Sequence, residues 1–184
     1  MIIIENQIER IKLKLDDKGI TLNKPITMEK IFEFENRYNI KLPKELVAFY
    51  TQIGNSGIKC IEYEKDGEEW EVELYLDDLY SFENFKFNPK LINQEFTLEN
   101  TFWECWNENQ KDNFNWNGLQ YGNIEILDLG CAMTYHIILN GKHQGEVWEF
   151  TEMGVISTKL NFLDWFEVWL DNLDNPEEVW FKDY

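Results

Sequence analysis

The apolar residues of this chain repeat at two periods, and the change from one to the other falls near residue 60. Before it the steps are three and four: Ile8, Ile11, Leu15; then Ile31, Phe34, Tyr38; then Leu46, Val47, Phe49, Tyr50, Ile53. That spacing lines one face of an α-helix. The punctuation agrees. Gly19 ends the first helix, Thr27 is placed to cap the second, and Gly54 closes the third. Pro43 suits the first position of the third helix, where a missing N–H costs nothing. After residue 60 the step becomes two. Ile61, Tyr63, Trp70, Val72 and Leu74 alternate with Glu62, Glu64, Glu69, Glu71 and Glu73 around Asp66-Gly67, which predicts a hairpin. Segments 124–129 and 133–139 read as two strands, and 146–150 with 154–158 as a further hairpin. The helical step returns behind Asn161, a good cap, with Phe162, Trp165, Phe166, Trp169, Leu170 and Leu173 on one stripe.

This order predicts an α+β fold: N-terminal helices, a central, mostly antiparallel sheet and a C-terminal amphipathic helix. The 184 residues suit a single domain, 1–184, with no linker or internal repeat. Residues 84–118, rich in Asn and aromatics, read as an insertion-like excursion with a short helix near 97–109. Asp171 and Asp174 sit near the end of the last helix, where the helix dipole disfavours negative charge. Nothing in the sequence accounts for them.

Charge narrows the classes of partner. The formal net charge is −18, and residues 1–50 hold nine Lys and Arg against eight Asp and Glu. The whole excess therefore lies later in the chain. Such a surface repels nucleic acid and anionic membranes, which are held through Lys and Arg, and attracts basic partners. No apolar run approaches the roughly 20 residues that cross a bilayer. Met1-Ile2-Ile3-Ile4 is followed at once by Glu5, so no signal peptide is expected and the cytoplasm is the expected location.

The densest acidity is local. Between residues 62 and 78 stand nine carboxylates (Glu62, Glu64, Asp66, Glu68, Glu69, Glu71, Glu73, Asp77 and Asp78) and one cation, Lys65. If the alternation holds, Glu62, Glu64, Glu69, Glu71 and Glu73 crowd one face of the hairpin. Two readings stand: a solvated face, or a docking face for a basic macromolecule. Metal binding is disfavoured, because a strand face does not converge its carboxylates as a loop does. Trp103, Trp106, Phe114 and Trp116 likewise form either a satellite core or exposed anchors, since Trp and Tyr are enriched at binding hot spots.

Catalytic chemistry has little to work with. Cys60, Cys105 and Cys131 are odd in number and lack metal-ligand spacing, so reduced thiols and no metal or cofactor are expected. His136 and His143 are the only histidines. A Cys131–His136 or Cys105–His143 pair can be drawn, but no nucleophile elbow or oxyanion loop accompanies either. The chain is not expected to be an enzyme.

Two stretches resemble the SUKH superfamily, bacterial immunity proteins related to the fungal SMI/KNR regulators of cell-wall glucan synthesis. ITMEKIFEFENRYNIKLPKELVAFYTQIGNSG (26–57) resembles that family's helix, Leu-Pro step and second helix. GNIEILDLGCAMTYHIILNGKHQGEVW (122–148) resembles its strand, Gly-Cys-Gly turn, strand, Asn-Gly turn and Gly-x-Val-Trp strand. FLDWFEVWLD (162–171) matches its closing helix. One departure is visible: Gly130-Cys131-Ala132 has alanine where the family has its second glycine, so that position is expected to be less strained. The resemblance implies an immunity protein, an antitoxin that neutralises a cognate toxin, often a nuclease, by stoichiometric contact. The fungal branch implies instead a regulatory scaffold. On the first reading Glu62, Glu64, Glu69, Glu71, Glu73, Asp77, Asp78, Trp103 and Trp106 are the candidate partner-binding residues, facing a toxin with a basic surface.

Overall fold

The computed structural model describes residues 2–57, 61–65, 68–72, 79–103 and 106–172, with the backbone alone at 2–3, 61–65 and 68–72. Three helices come first: α1 (Ile2–Asp17), α2 (Met28–Tyr38) and α3 (Lys44–Gln52). Gly19 closes α1 as its pattern predicts. Its N–H donates to Asp16 O at 3.0 Å, and the Ile20 N–H reaches back to Leu15 O at 2.8 Å, with Gly19 at φ +67°. That is the paired bond of a Schellman stop. Thr27 holds the extended cap conformation before α2, yet its hydroxyl makes no capping bond. The Glu29 carboxylate takes its own backbone N–H and the Thr27 hydroxyl instead, which holds it below its usual range. Pro43 sits one step outside α3, as its cap.

Five strands form one antiparallel sheet in the order β3-β7-β6-β5-β4. They are β3 (Thr101–Phe102), β4 (Asn123–Asp128), β5 (Thr134–Ile138), β6 (Glu146–Thr151) and β7 (Gly154–Asn161). β1 (Ile61–Lys65) and β2 (Glu68–Val72) pair with each other in a separate two-stranded ribbon. α5 (Phe162–Asn172) closes the described chain, and Asn161 caps it by accepting the Asp164 N–H at 3.1 Å. Its apolar stripe is fully buried at Phe162, Trp165, Phe166 and Trp169, where Phe49 of α3 meets Phe162 and Phe166 at 5.0 and 4.7 Å.

Ile8, Ile11 and Leu15 of α1 join this core, and a polar ladder registers α1 on α5. Gln7 donates to Asp164 at 2.7 Å. Arg10 grips both oxygens of Glu167 at 2.5 and 2.6 Å, and Lys14 reaches Glu167 at 2.9 Å and Asp171 at 2.5 Å. The steps along the two helices match, so they run parallel. Asp171 thus has its reason: Lys14 offsets the dipole penalty. Asp174 lies outside the described residues.

The sheet is covered on both faces. The helices bury one. On the other, Phe96 packs edge-on against Trp148 at 5.0 Å, with Ile138 and Val155 beneath and Leu98, Trp103, Leu119 and Phe150 around them. The segment read as an insertion is therefore a lid on the second face. Its short helix lies later than expected: α4 is Glu108–Asn113, not 97–109. Residues 96–102 are recruited by the sheet instead. The Phe96 N–H bonds Asn140 O at 3.3 Å, Asn100 Oδ1 accepts the Ser157 N–H at 2.8 Å, and Thr101–Phe102 pair with Val155 and Gly154 as β3. At the opposite edge, bridges from Leu79 to Leu127 and from Lys86 to Glu125 cover β4, which blunts it against pairing with other chains.

The β4–β5 turn corrects the expectation of low strain. Gly130, Cys131 and Ala132 hold φ of +73°, +49° and +60° in succession. Alanine keeps the left-handed backbone that glycine would adopt more readily. The Asn140-Gly141 turn shows why glycine stands there: a Cβ on Gly141 would lie 2.5 Å from Phe96 O, and φ is +98°.

Candidate partner-binding surface

The ribbon fixes the register of the acidic residues. Glu62 stands opposite Glu71 and Glu64 opposite Glu69, while Tyr63 pairs with Trp70 and Ile61 with Val72. Carboxylates and apolar residues thus occupy alternate register positions, as the alternation predicts. Like charges opposite one another across an antiparallel pair cost about 0.2–1 kcal/mol each. Lys65 closes the pairing against Glu68. Glu73, Asp77 and Asp78, with the Asp66-Gly67 turn, lie outside the described residues.

Trp103 and Trp106 belong to a different surface, at the β3 edge of the five-stranded sheet. The Trp103 ring lies 6.1 Å from Trp106, 5.9 Å from Phe114 and 5.5 Å from Trp116, and Phe114 lies 5.0 Å from Trp106 and 4.9 Å from Trp116. The four rings pack tilted and edge-to-face, at 51–81° to one another, as one aromatic cluster, called the plate below. Its frame is local: an Asn107–Gln110 capping box starts α4 between them. Trp103 is half-buried, leaning on the second core, and its indole N–H donates to Glu152 O at 2.8 Å. Trp116 is the outward member, 47% exposed, with its N–H on Lys111 O at 3.2 Å. Phe102 and Met153 extend the patch, at 45% and 49% exposure. Sequence reasoning missed these two. Phe102 carries a signal, its alternation with Trp103, but the partner strand that exposes Met153 is visible only in three dimensions.

The histidines are held in place. Asn123 donates its amide to Leu119 O and Tyr121 O, so its Oδ1 accepts from His136 Nδ1 at 2.8 Å. Nε2 then accepts the Thr134 hydroxyl at 2.9 Å, and the ring stacks on Phe150 at 4.0 Å. Burial pushes His136 down to about 3, so it is neutral at ordinary pH. With both nitrogens occupied, neither serves the exposed Cys131 as a base. Cys105 lies outside the described residues. His143 Nδ1 bonds Glu146 at 3.0 Å. Among the described residues no three His, Cys, Asp or Glu side chains converge to hold a metal ion, and no helix is long and apolar enough to cross a membrane.

A model of the SMI1 / KNR4 family (SUKH-1) matches residues 25–172, from just before α2 to the end of α5. The chain belongs to that family. The SUKH-1 segment takes in the ribbon, the whole five-stranded sheet and the lid over its second face, while α1 precedes it. No curated protein and no solved structure matches the chain.

Proposed function

We propose that this SUKH-1 chain is an immunity protein, which binds a cognate toxin domain one to one and blocks it without chemistry. The acidic ribbon is its principal contact, with Glu62, Glu64, Glu69 and Glu71 and the neighbouring Glu73, Asp77 and Asp78 facing the cationic surface of the toxin; Trp103 and Trp106, on the separate surface at the β3 edge, form a second contact. The observation that carries this reading is the register that sets Glu62 against Glu71 and Glu64 against Glu69. A ribbon that stacks carboxylates pays in repulsion for a field that a basic partner relieves. A nuclease toxin presents Lys and Arg to hold phosphates, so a polyanionic surface competes for the same site. Complementary charge also speeds encounter, towards about 10⁸–10⁹ M⁻¹s⁻¹ at low salt.

The test is co-expression with a candidate toxin domain, scoring survival, followed by stopped-flow association. Changing Glu69, Glu71 and Glu73 together to Gln should slow association about tenfold or more at low salt and flatten its dependence on salt. An unchanged on-rate retires the ribbon as the docking face.

A further inference from the structure

The aromatic plate points to a more specific chemistry than charge. Phe102, Trp116 and Met153 are three of the six large apolar side chains that stand exposed among the described residues. They are neighbours: the Trp103 N–H bonds Met153 O at 2.9 Å, Phe102 pairs with Gly154, and Trp116 touches the Trp103 ring. Both indole N–H groups at Trp103 and Trp116 are already satisfied by backbone carbonyls. With those donors taken, the patch offers the exposed aromatic and thioether surface of Phe102, Trp116 and Met153, and ring faces carry the negative end of the aromatic quadrupole.

The rim has the same sign. Glu108, Asp112 and Glu152 are exposed around the plate. Lys111, the cation of α4, is matched by Glu108 at 3.8 Å. Carboxylates around exposed indole favour one side chain over all others. A guanidinium stacks flat on the ring while donating in-plane to the acids, whereas an ammonium is a strongly hydrated point charge that does neither as well. We infer that the plate formed by Phe102, Trp103, Trp106, Phe114 and Trp116 is an arginine-reading surface, seating one or more arginines of a basic protein partner. This rests on the reading above that the partner is basic, and adds which cation it must present.

The experiment compares two probes, an arginine nonapeptide and a lysine nonapeptide, titrated into the full chain at low salt. Affinity is read by calorimetry, and the indole N–H signals of Trp103 and Trp116 by NMR. The arginine peptide should bind about fivefold or more tightly than the lysine peptide, the scale of one or two exposed cation–π contacts, and shift both indole signals. Trp116→Leu keeps apolar bulk but removes the ring, and Phe102→Ser removes it from the strand. Each should cut the preference to about twofold or less, with the arginine peptide losing more affinity than the lysine peptide. The Glu69, Glu71 and Glu73 to Gln variant should weaken both peptides alike. Equal binding of the two peptides, both weakened by that Gln variant, overturns the plate and leaves the acidic ribbon standing. Failure of both peptides to bind overturns the basic-partner reading and the plate with it. A preference that survives both aromatic substitutions, or a concentration-dependent dimer lost in Trp116→Leu with the preference intact, also overturns it.

Discussion

Glu167→Gln tests how α1 is held on α5. Glu167 accepts both Arg10 nitrogens and Lys14, and its side chain is only 12% exposed. The Arg10 hydrogen bond, followed by those of Lys14 and Gln7, outweighs burial and takes the carboxyl from 4.5 down to about 2. Each unit is worth about 1.4 kcal/mol, so ionised Glu167 contributes up to about 3 kcal/mol to the folded state. Arg10 is 53% exposed and screened by water, which trims the expectation to about 2 kcal/mol. The sign follows from a folded value below the unfolded one. The contribution is complete above about pH 4.5 and disappears as pH falls through about 2. Urea unfolding of both chains at several pH values reads the gap directly, and contributions of other titrating groups cancel in the difference. A gap of about 2 kcal/mol should hold from pH 7 to 5 and close towards pH 2. A gap below about 0.5 kcal/mol at pH 7, or one that stays constant down to pH 2.5, refutes the reasoning.

Two smaller perturbations have definite signs. Ala132→Gly should stabilise the chain by about 0.5–1 kcal/mol in thermal unfolding, because Ala132 holds φ +60°; relief of left-handed strain exceeds the added unfolded-state entropy. His136 is half-buried yet held neutral, its folded value near 3. The unfolded chain therefore binds a proton that the folded chain refuses, and stability should fall as pH drops from about 6.5 towards 3. His136→Gln should remove that slope from acid-unfolding curves, and a slope that persists undiminished assigns it elsewhere.

The helices and the later strands were legible because each carries its period and its punctuation within a few residues. Gly19, Asn161 and the alternation around Asp66-Gly67 are local signals with local consequences. The lid was not legible for the opposite reason. Phe96 leaves no periodic trace, because Trp148 and Asn140, some fifty residues on, decide its place. The same holds for β3, whose two residues are strand only because β7 lies beside them, and for Asp171, whose partner Lys14 is 157 residues away. At the candidate surface the sequence shows which residues are acidic and which aromatic. It does not show that Phe102 and Met153 complete the plate, since adjacency across β3 and β7 exists only once the sheet has formed.

The β1–β2 ladder closes on itself and takes no place in the larger sheet. Its backbone pairing is therefore independent of the hydrogen bonding of the five strands that carry the core. Substitutions along this one hairpin leave every ladder bond of the larger sheet in place. The same independence makes it a natural cassette for grafting onto another SUKH-1 body.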